Sequence, residues 1–265
     1  MNQPSRSLPT SGERANQIYE GWLLKHRQTT DRYFLPLLVI QWMSAIGLAI
    51  FVSPHAWAGT VGCVYPHVQA AVVLGLAINV LPVALILLRP GVAITRHVVT
   101  IAQLLWSALF VHLTGGRIEA HFHIFASMAF IALYRDWRLL LTATLVTVID
   151  HLIRGLLLPE SVYGIPNPAW WRFLEHVAWV VFEDIVLVVS CVEGLRAMRT
   201  MAESKASLES INSTIEQEVG HKTAELRAST QRYRMILEST NAVPWELEGS
   251  NRRVLYISPQ VTRIA

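Results

Sequence analysis

Six long apolar stretches, at roughly 34–52, 68–88, 92–114, 119–134, 137–158 and 173–195, constrain this chain more than any other feature. A helix needs about 20 mostly apolar residues to cross a bilayer. Hydrocarbon offers no partner for an exposed backbone N–H or C=O, so the crossing segments must be helical or closed barrels. The fourth stretch is the shortest. Hydrophobic residues make up 52% of the 265-residue chain and charged residues only 15%. A soluble domain carries about 25% charge. The sequence predicts an all-α membrane protein with six transmembrane helices over residues 34–195.

The apolar pattern begins at Phe34, behind a polar leader of residues 1–33. That is too late and too long for a cleaved signal peptide. Lys and Arg alternate with each expected crossing. Arg6, Arg14, Lys25, Arg27 and Arg32 precede the first stretch, and the 53–67 connection has none. Arg89 and Arg96 follow the second, Arg135 and Arg138 the fourth, and Arg196 and Arg199 the sixth. The 115–118 turn carries only Arg117, and the 159–172 connection only Arg172. By the positive-inside rule both termini are cytoplasmic. Trp57, Trp137, Trp170 and Trp171 fall at the expected interfaces. The net charge of +3 is spread over loop ends and implies no nucleic-acid partner. Cys63 and Cys191 lie in different regions without a CxxC spacing, so no structural disulfide is expected.

Threading these six spans brings His112, His121, His123, His151 and His176 to one level near the outer face. Ionisable groups inside a membrane are costly and are functional candidates by default. Imidazole is the commonest protein metal ligand. These five are the candidate metal ligands, with Glu119, Asp150, Arg154, Glu175, Glu183 and Asp184 as supporting groups. Glu119 and His123 are i,i+4 and share a helix face. His121 and His123 are i,i+2, and converge only if the Gly115–Gly116 turn keeps this start non-helical. Asp150 and Arg154 form a pair that ties the helix together, the better reading, or orients an imidazole. Glu183 and Asp184 fall near mid-membrane, where the structural role is the better reading. A His-rich site with carboxylates suits Zn, Cu, Fe or Ni. Two facing imidazoles also suit a non-covalent haem, since CxxCH is absent. Asn79 and Gln103 are expected to make interhelical hydrogen bonds rather than to ligate.

From Val192 to Glu238 there is no proline. A heptad frame puts Met198, Lys205, Asn212, Val219, Leu226 and Tyr233 at a. It puts Met201, Leu208, Ile215, Lys222, Ser229 and Ile236 at d. This predicts a coiled-coil exit helix over 196–231, with Asn212 favouring a parallel homodimer. After Tyr233 the pattern turns to alternation at Trp245, Leu247, Val254 and Tyr256, which predicts a first hairpin.

The run GGRIEAHFHIFASMAFIALYRDWRLLLTATLVTVIDHLIRG, residues 115–155, resembles a multi-spanning sensory module of bacterial signalling proteins. These include histidine kinases of two-component systems, diguanylate cyclases and chemoreceptors. The resemblance rests on His121, Phe122, His123 and Phe125, on Tyr134, Asp136 and Trp137, and on His151, and covers about residues 30–195. Residues 232–265 resemble the incomplete start of a PAS domain. The resemblance implies signal transduction in a bacterial inner membrane. It also implies a cytoplasmic output domain, a histidine kinase or diguanylate cyclase, which this chain does not contain. No kinase H-box, GGDEF motif or nucleotide-binding glycine loop is present.

The expectation is a membrane-integral sensory input module. It senses through a periplasmic-side, His-rich metal or metal-cofactor site and relays through the exit helix. The alternative is a metal-free sensor of pH, quinone or membrane state. A transporter or intramembrane metalloenzyme fits the long cytoplasmic helix less well.

Overall fold

The computed structural model describes residues 10–57, 64–239, 245–247 and 254–257. Cys63 and much of the 232–265 segment lie outside these residues. The chain divides into two units, one ending at Ser204 and one beginning at Lys205.

Eight helices are described: α1 Ser11–Phe51, α2 Ser53–Ala56, α3 Val64–Leu88, α4 Ala93–Leu113, α5 Ile118–Ala132, α6 Trp137–Leu157, α7 Glu160–Tyr163 and α8 Trp171–Ser239. Helices α1, α3, α4 and α6 are long and apolar enough to cross a membrane. Helix α5 is apolar but only 15 residues long. At 1.5 Å per residue it spans about 22 Å, less than the ~30 Å hydrocarbon core. The apolar part of α8 carries Glu175, Glu183 and Asp184, so composition alone does not mark it as a span. Four apolar helices of spanning length make this a membrane-type helical protein.

The polar leader is not a separate element. A capping box starts α1 at Thr10: its hydroxyl accepts from the Glu13 N–H and its own N–H donates to the Glu13 carboxylate. The helix then runs through the apolar boundary at Phe34 to Phe51 without a break. At the other end of the chain α8 persists to Ser239 rather than ending near residue 231. Beyond it, β1 Trp245–Leu247 pairs antiparallel with β2 Val254–Ile257, Trp245 opposite Ile257, with an irregularity between Glu246 and Leu247.

In the first unit α4 is the central post, packed against α1, α3, α5 and α6. Its Val99, Leu104, Trp106 and Leu113 join Phe34, Leu38, Met128, Ile131, Leu139 and Leu140 in the core. Close approach is built in at Gly75: a Cβ there would meet Trp42 at 2.5 Å and Trp106 at 2.8 Å. Polar core groups are tied across helices, as Trp106 Nε1–H donating to Asn79 Oδ1 (3.0 Å) and Gln103 Nε2–H to Ser127 Oγ (3.3 Å) illustrate. The closely packed pairs are among α1, α3, α4, α5 and α6, whereas α8 is joined to them by side chains such as Arg135 and Cys191.

The bundle has two distinct ends. One holds the turn after α3 and the turn after α5. There Asp31 is fully buried and accepts from Tyr134 Oη–H (2.7 Å) and Gly91 N–H (2.5 Å). Burial pushes the Asp31 carboxyl above its ordinary range, against the Tyr134 and Gly91 hydrogen bonds. Arg96 spans the same layer, donating to Gly91 O (2.7 Å) and Asp136 Oδ2 (2.9 Å). The opposite end is the histidine end, where α4 turns into α5 and α6 leads through α7 into α8.

Candidate functional site

The five candidate histidines divide into three groups at the histidine end. His121 of α5, His151 of α6 and His176 of α8 form one. Their ring centroids are 5.5 Å (His121–His151), 5.2 Å (His121–His176) and 5.7 Å (His151–His176) apart. His121 is 4% exposed and His151 3%. Each ring is tied back to its own helix. Nδ1 lies 2.9 Å from Arg117 O in His121, 3.1 Å from Thr147 O in His151 and 2.8 Å from Arg172 O in His176. A carbonyl oxygen only accepts, so Nδ1 is the protonated nitrogen in all three and Nε2 carries the lone pair. Nε2 of His121 is buried with no hydrogen-bond partner.

His123 is elsewhere. Helix α5 is regular from Ile118, so residues two apart point to different sides. The non-helical start that would have let His121 and His123 converge does not occur. His123 Nδ1 lies 2.8 Å from Ser107 Oγ and 3.2 Å from Ser127 Oγ, Nε2 lies 3.1 Å from Gln41 Nε2, and the ring meets Phe110 edge-on. His112 forms a third group with Trp57 and His67, all three centroid distances being 5.5 Å. The Trp57 indole N–H donates to the His112 carbonyl at 3.2 Å.

Among the supporting residues, Asp150 is the one joined to the three-histidine group. Its Oδ2 lies 3.3 Å from His151 Nδ1 and 2.5 Å from Arg154 Nη2, and Arg154 Nε–H donates to its Oδ1 at 2.7 Å. Arg154 also donates to Ser161 Oγ (3.1 Å) in α7. Glu175 is exposed and lines the same cavity as the three rings. Glu119 is exposed on the first turn of α5. Glu183 and Asp184 sit farther along α8. Thr144 donates to Asp184, while Glu183 Oε2 and Asp184 Oδ1 are buried without a hydrogen-bond partner.

A cavity of about 450 Å³ opens between α5, α6 and α8 beside the three rings. Its other walls are mainly apolar, including Ile124, Phe125, Val148 and Trp179. Trp171 and Trp179 are exposed at its margin. Among the described residues, no group of three or more His, Cys, Asp and Glu side chains is arranged to hold a metal ion as it stands. Cys191 is a buried free thiol whose Sγ–H reaches Ala132 O, away from the histidines.

Sequence reasoning left out Tyr163, whose ring meets His176 edge-on at 5.5 Å, and the Trp57–His67 pair around His112. Depth puts His67 on the same side as the candidates, but counting along a helix does not show its contact with His112. Tyr163 belongs to a short helix between spans and carries no periodic signal.

Over 84 residues the chain is 39% identical to the transducer protein Htr8 of Halobacterium salinarum. It is similar to a transducer. The match covers 30% of this chain and 13% of that protein. No family model and no solved structure matches the chain. With the apolar helices, this similarity fits a membrane signalling module.

Proposed function

We propose that this chain is the sensory input module of a membrane signal-transduction protein, taking its signal at the histidine end. A metal ion or metal-bearing cofactor at the histidines is the input. Helix α8 is the relay to a cytoplasmic output domain. The observation that carries this reading is that His176, on α8, meets His121 of α5 and His151 of α6. The same helix continues to Ser239. A ligand bridging the three helices gains different affinity in different packings, which is what shifts a conformational equilibrium.

In this reading all six apolar stretches span a bacterial inner membrane, and the Lys/Arg alternation puts both termini in the cytoplasm. The histidine end is then periplasmic. The chain acts as a parallel homodimer through the α8 heptads. Leu208, Ile215, Val219 and Leu226 are exposed in the single chain, as partner-facing heptad residues would be. The terminal hairpin is the start of a PAS domain.

Disulfide trapping on the full chain in lipid nanodiscs tests this. With Cys63 and Cys191 changed to Ser, Leu208→Cys and Ile215→Cys are expected to cross-link and Gln217→Cys, on the opposite face, to fail. The Leu208→Cys rate is expected to change at least about twofold between Zn²⁺ and chelator. Equal trapping at all three positions removes the dimer. Rates indifferent to metal, to pH between 5 and 8 and to quinone remove the sensory reading.

A further inference from the structure

The three rings at the histidine end have a common chemistry. Each imidazole spends its one N–H on a carbonyl of its own helix, four residues back. What remains is three Nε2 lone pairs on three helices. An acceptor-only set repels a quinone carbonyl or an anion, since neither brings a hydrogen to share. It accepts a cation, or a ligand rich in O–H or N–H donors. The partnerless, buried Nε2 of His121 is an acceptor whose cost calls for such a ligand.

Ring spacing narrows the choice. Three imidazoles bound through Nε2 to one tetrahedral or trigonal ion at about 2.0–2.1 Å have ring centroids roughly 5.2–5.5 Å apart. The observed spacings are 5.2, 5.5 and 5.7 Å. Axial haem ligands, by contrast, face each other across the macrocycle at roughly 6 Å or more, with a slot between them. Three mutually adjacent rings leave no such slot. The side chains do not yet present a closed ligand set. Closing it takes a small shift of α8 against α5 and α6 that keeps each Nδ1–H on its own carbonyl.

We infer that His121, His151 and His176 bind one borderline divalent transition-metal ion through their Nε2 atoms, with the remaining position of the ion open to the cavity between α5, α6 and α8. Nitrogen-only donors select this class of ion over Ca²⁺ or Mg²⁺, which take oxygen. His112 and His123 are not ligands: His123 is held by Gln41 and Ser107, and His112 lies with His67 and Trp57. Asp150 is a positioning residue. Its carboxylate beside His151 Nδ1 holds that ring's tautomer and orientation. Glu175, at the cavity wall, is the nearby carboxylate available to balance the charge of the ion. This inference deepens the sensory reading and names the ligand of that site.

The test is metal titration of the full chain in detergent or nanodiscs, with Zn²⁺ for affinity and Co²⁺ for spectroscopy. One ion per chain is expected, with Co²⁺ giving the intense visible bands of a four-coordinate site. His121→Gln, His151→Gln and His176→Gln are each expected to weaken binding at least about 100-fold. Asp150→Asn is expected to weaken it about 10–100-fold and to shift the Co²⁺ bands. His112→Gln and His123→Gln retain it. Binding retained in the triple variant, or lost equally in His112→Gln and His123→Gln, overturns the assignment. The wild-type Co²⁺ spectrum needs no variant to fold, and weak six-coordinate bands overturn the assignment by themselves. Ion binding with α8 cross-linking indifferent to the ion, to pH and to quinone defeats the sensory reading and leaves this site intact. Failure to bind Zn²⁺ or Co²⁺ defeats the site, while the response of α8 to pH and quinone still decides the sensory reading.

Discussion

At the scale of single residues, polar groups in the apolar helices have specific partners. Tyr134 and Asp31 are the clearest case. Both are fully buried, and the phenol donates to the carboxylate at 2.7 Å. Tyr134→Phe leaves the carboxylate with the Gly91 N–H and nearby Arg96 but one donor short. The expected loss is about 1–3 kcal/mol, read as a lower thermal midpoint in detergent. A midpoint equal to wild type would mean that the bond contributes nothing net. Tyr134 and Asp136 were visible in the sequence as parts of a motif. Their partners Asp31 and Arg96 were not, because they lie 103 and 40 residues away. Such pairs are set by folding, not by local pattern.

At the scale of elements, turns decide how the helices meet. The α4–α5 turn holds Gly115 and Gly116 at φ +64° and +74°. A Cβ on Gly116 would collide with the Gly164 nitrogen and the Val162 carbonyl carbon, so this turn interlocks with the one after α7. Gly116→Ala is expected to cost on the order of 2 kcal/mol through strain and collision together. It is also expected to weaken ion binding, because that turn sets where His121 stands against His176. Wild-type ion affinity in this variant would separate the turn from the site. The turn after α5 acts on α8 from the other end. Arg135 adopts φ +53° and donates to the Gly194 carbonyl of α8 at 3.3 Å. Arg135→Gly removes both the strain and the hook. Its expected effect is near-normal stability with altered α8 cross-linking; unaltered trapping would free this contact from any part in the relay.

For the whole molecule, an ion shared by α5, α6 and α8, as inferred above, would link separate helices and so stabilise the folded bundle by mass action. At an ion concentration 100 times its Kd the expected gain is about 2.7 kcal/mol, reversed by chelator and measured as a shift in thermal midpoint. No shift, in a protein shown to bind ion, would mean that the ion does not tie the helices together. Hydropathy and turn spacing were sufficient to bring the histidines to one end, because depth depends only on counting residues along each helix. The same counting pointed to a helix running on from the sixth stretch, but not to its end at Ser239. It did not reveal that α1 is one helix from Ser11 to Phe51, since a polar leader and an apolar span share the same backbone period. Rotation about each helix axis was beyond the sequence. His121 and His123 share a helix and a depth, yet 100° per residue turns one toward α6 and α8 and the other toward α1 and α4. The sequence by itself determined an apolar helical membrane protein with its imidazoles at one level. Only tertiary packing decided that His121, His151 and His176 meet while His112 and His123 do not, because the facing of a helix is set by the neighbours it buries against.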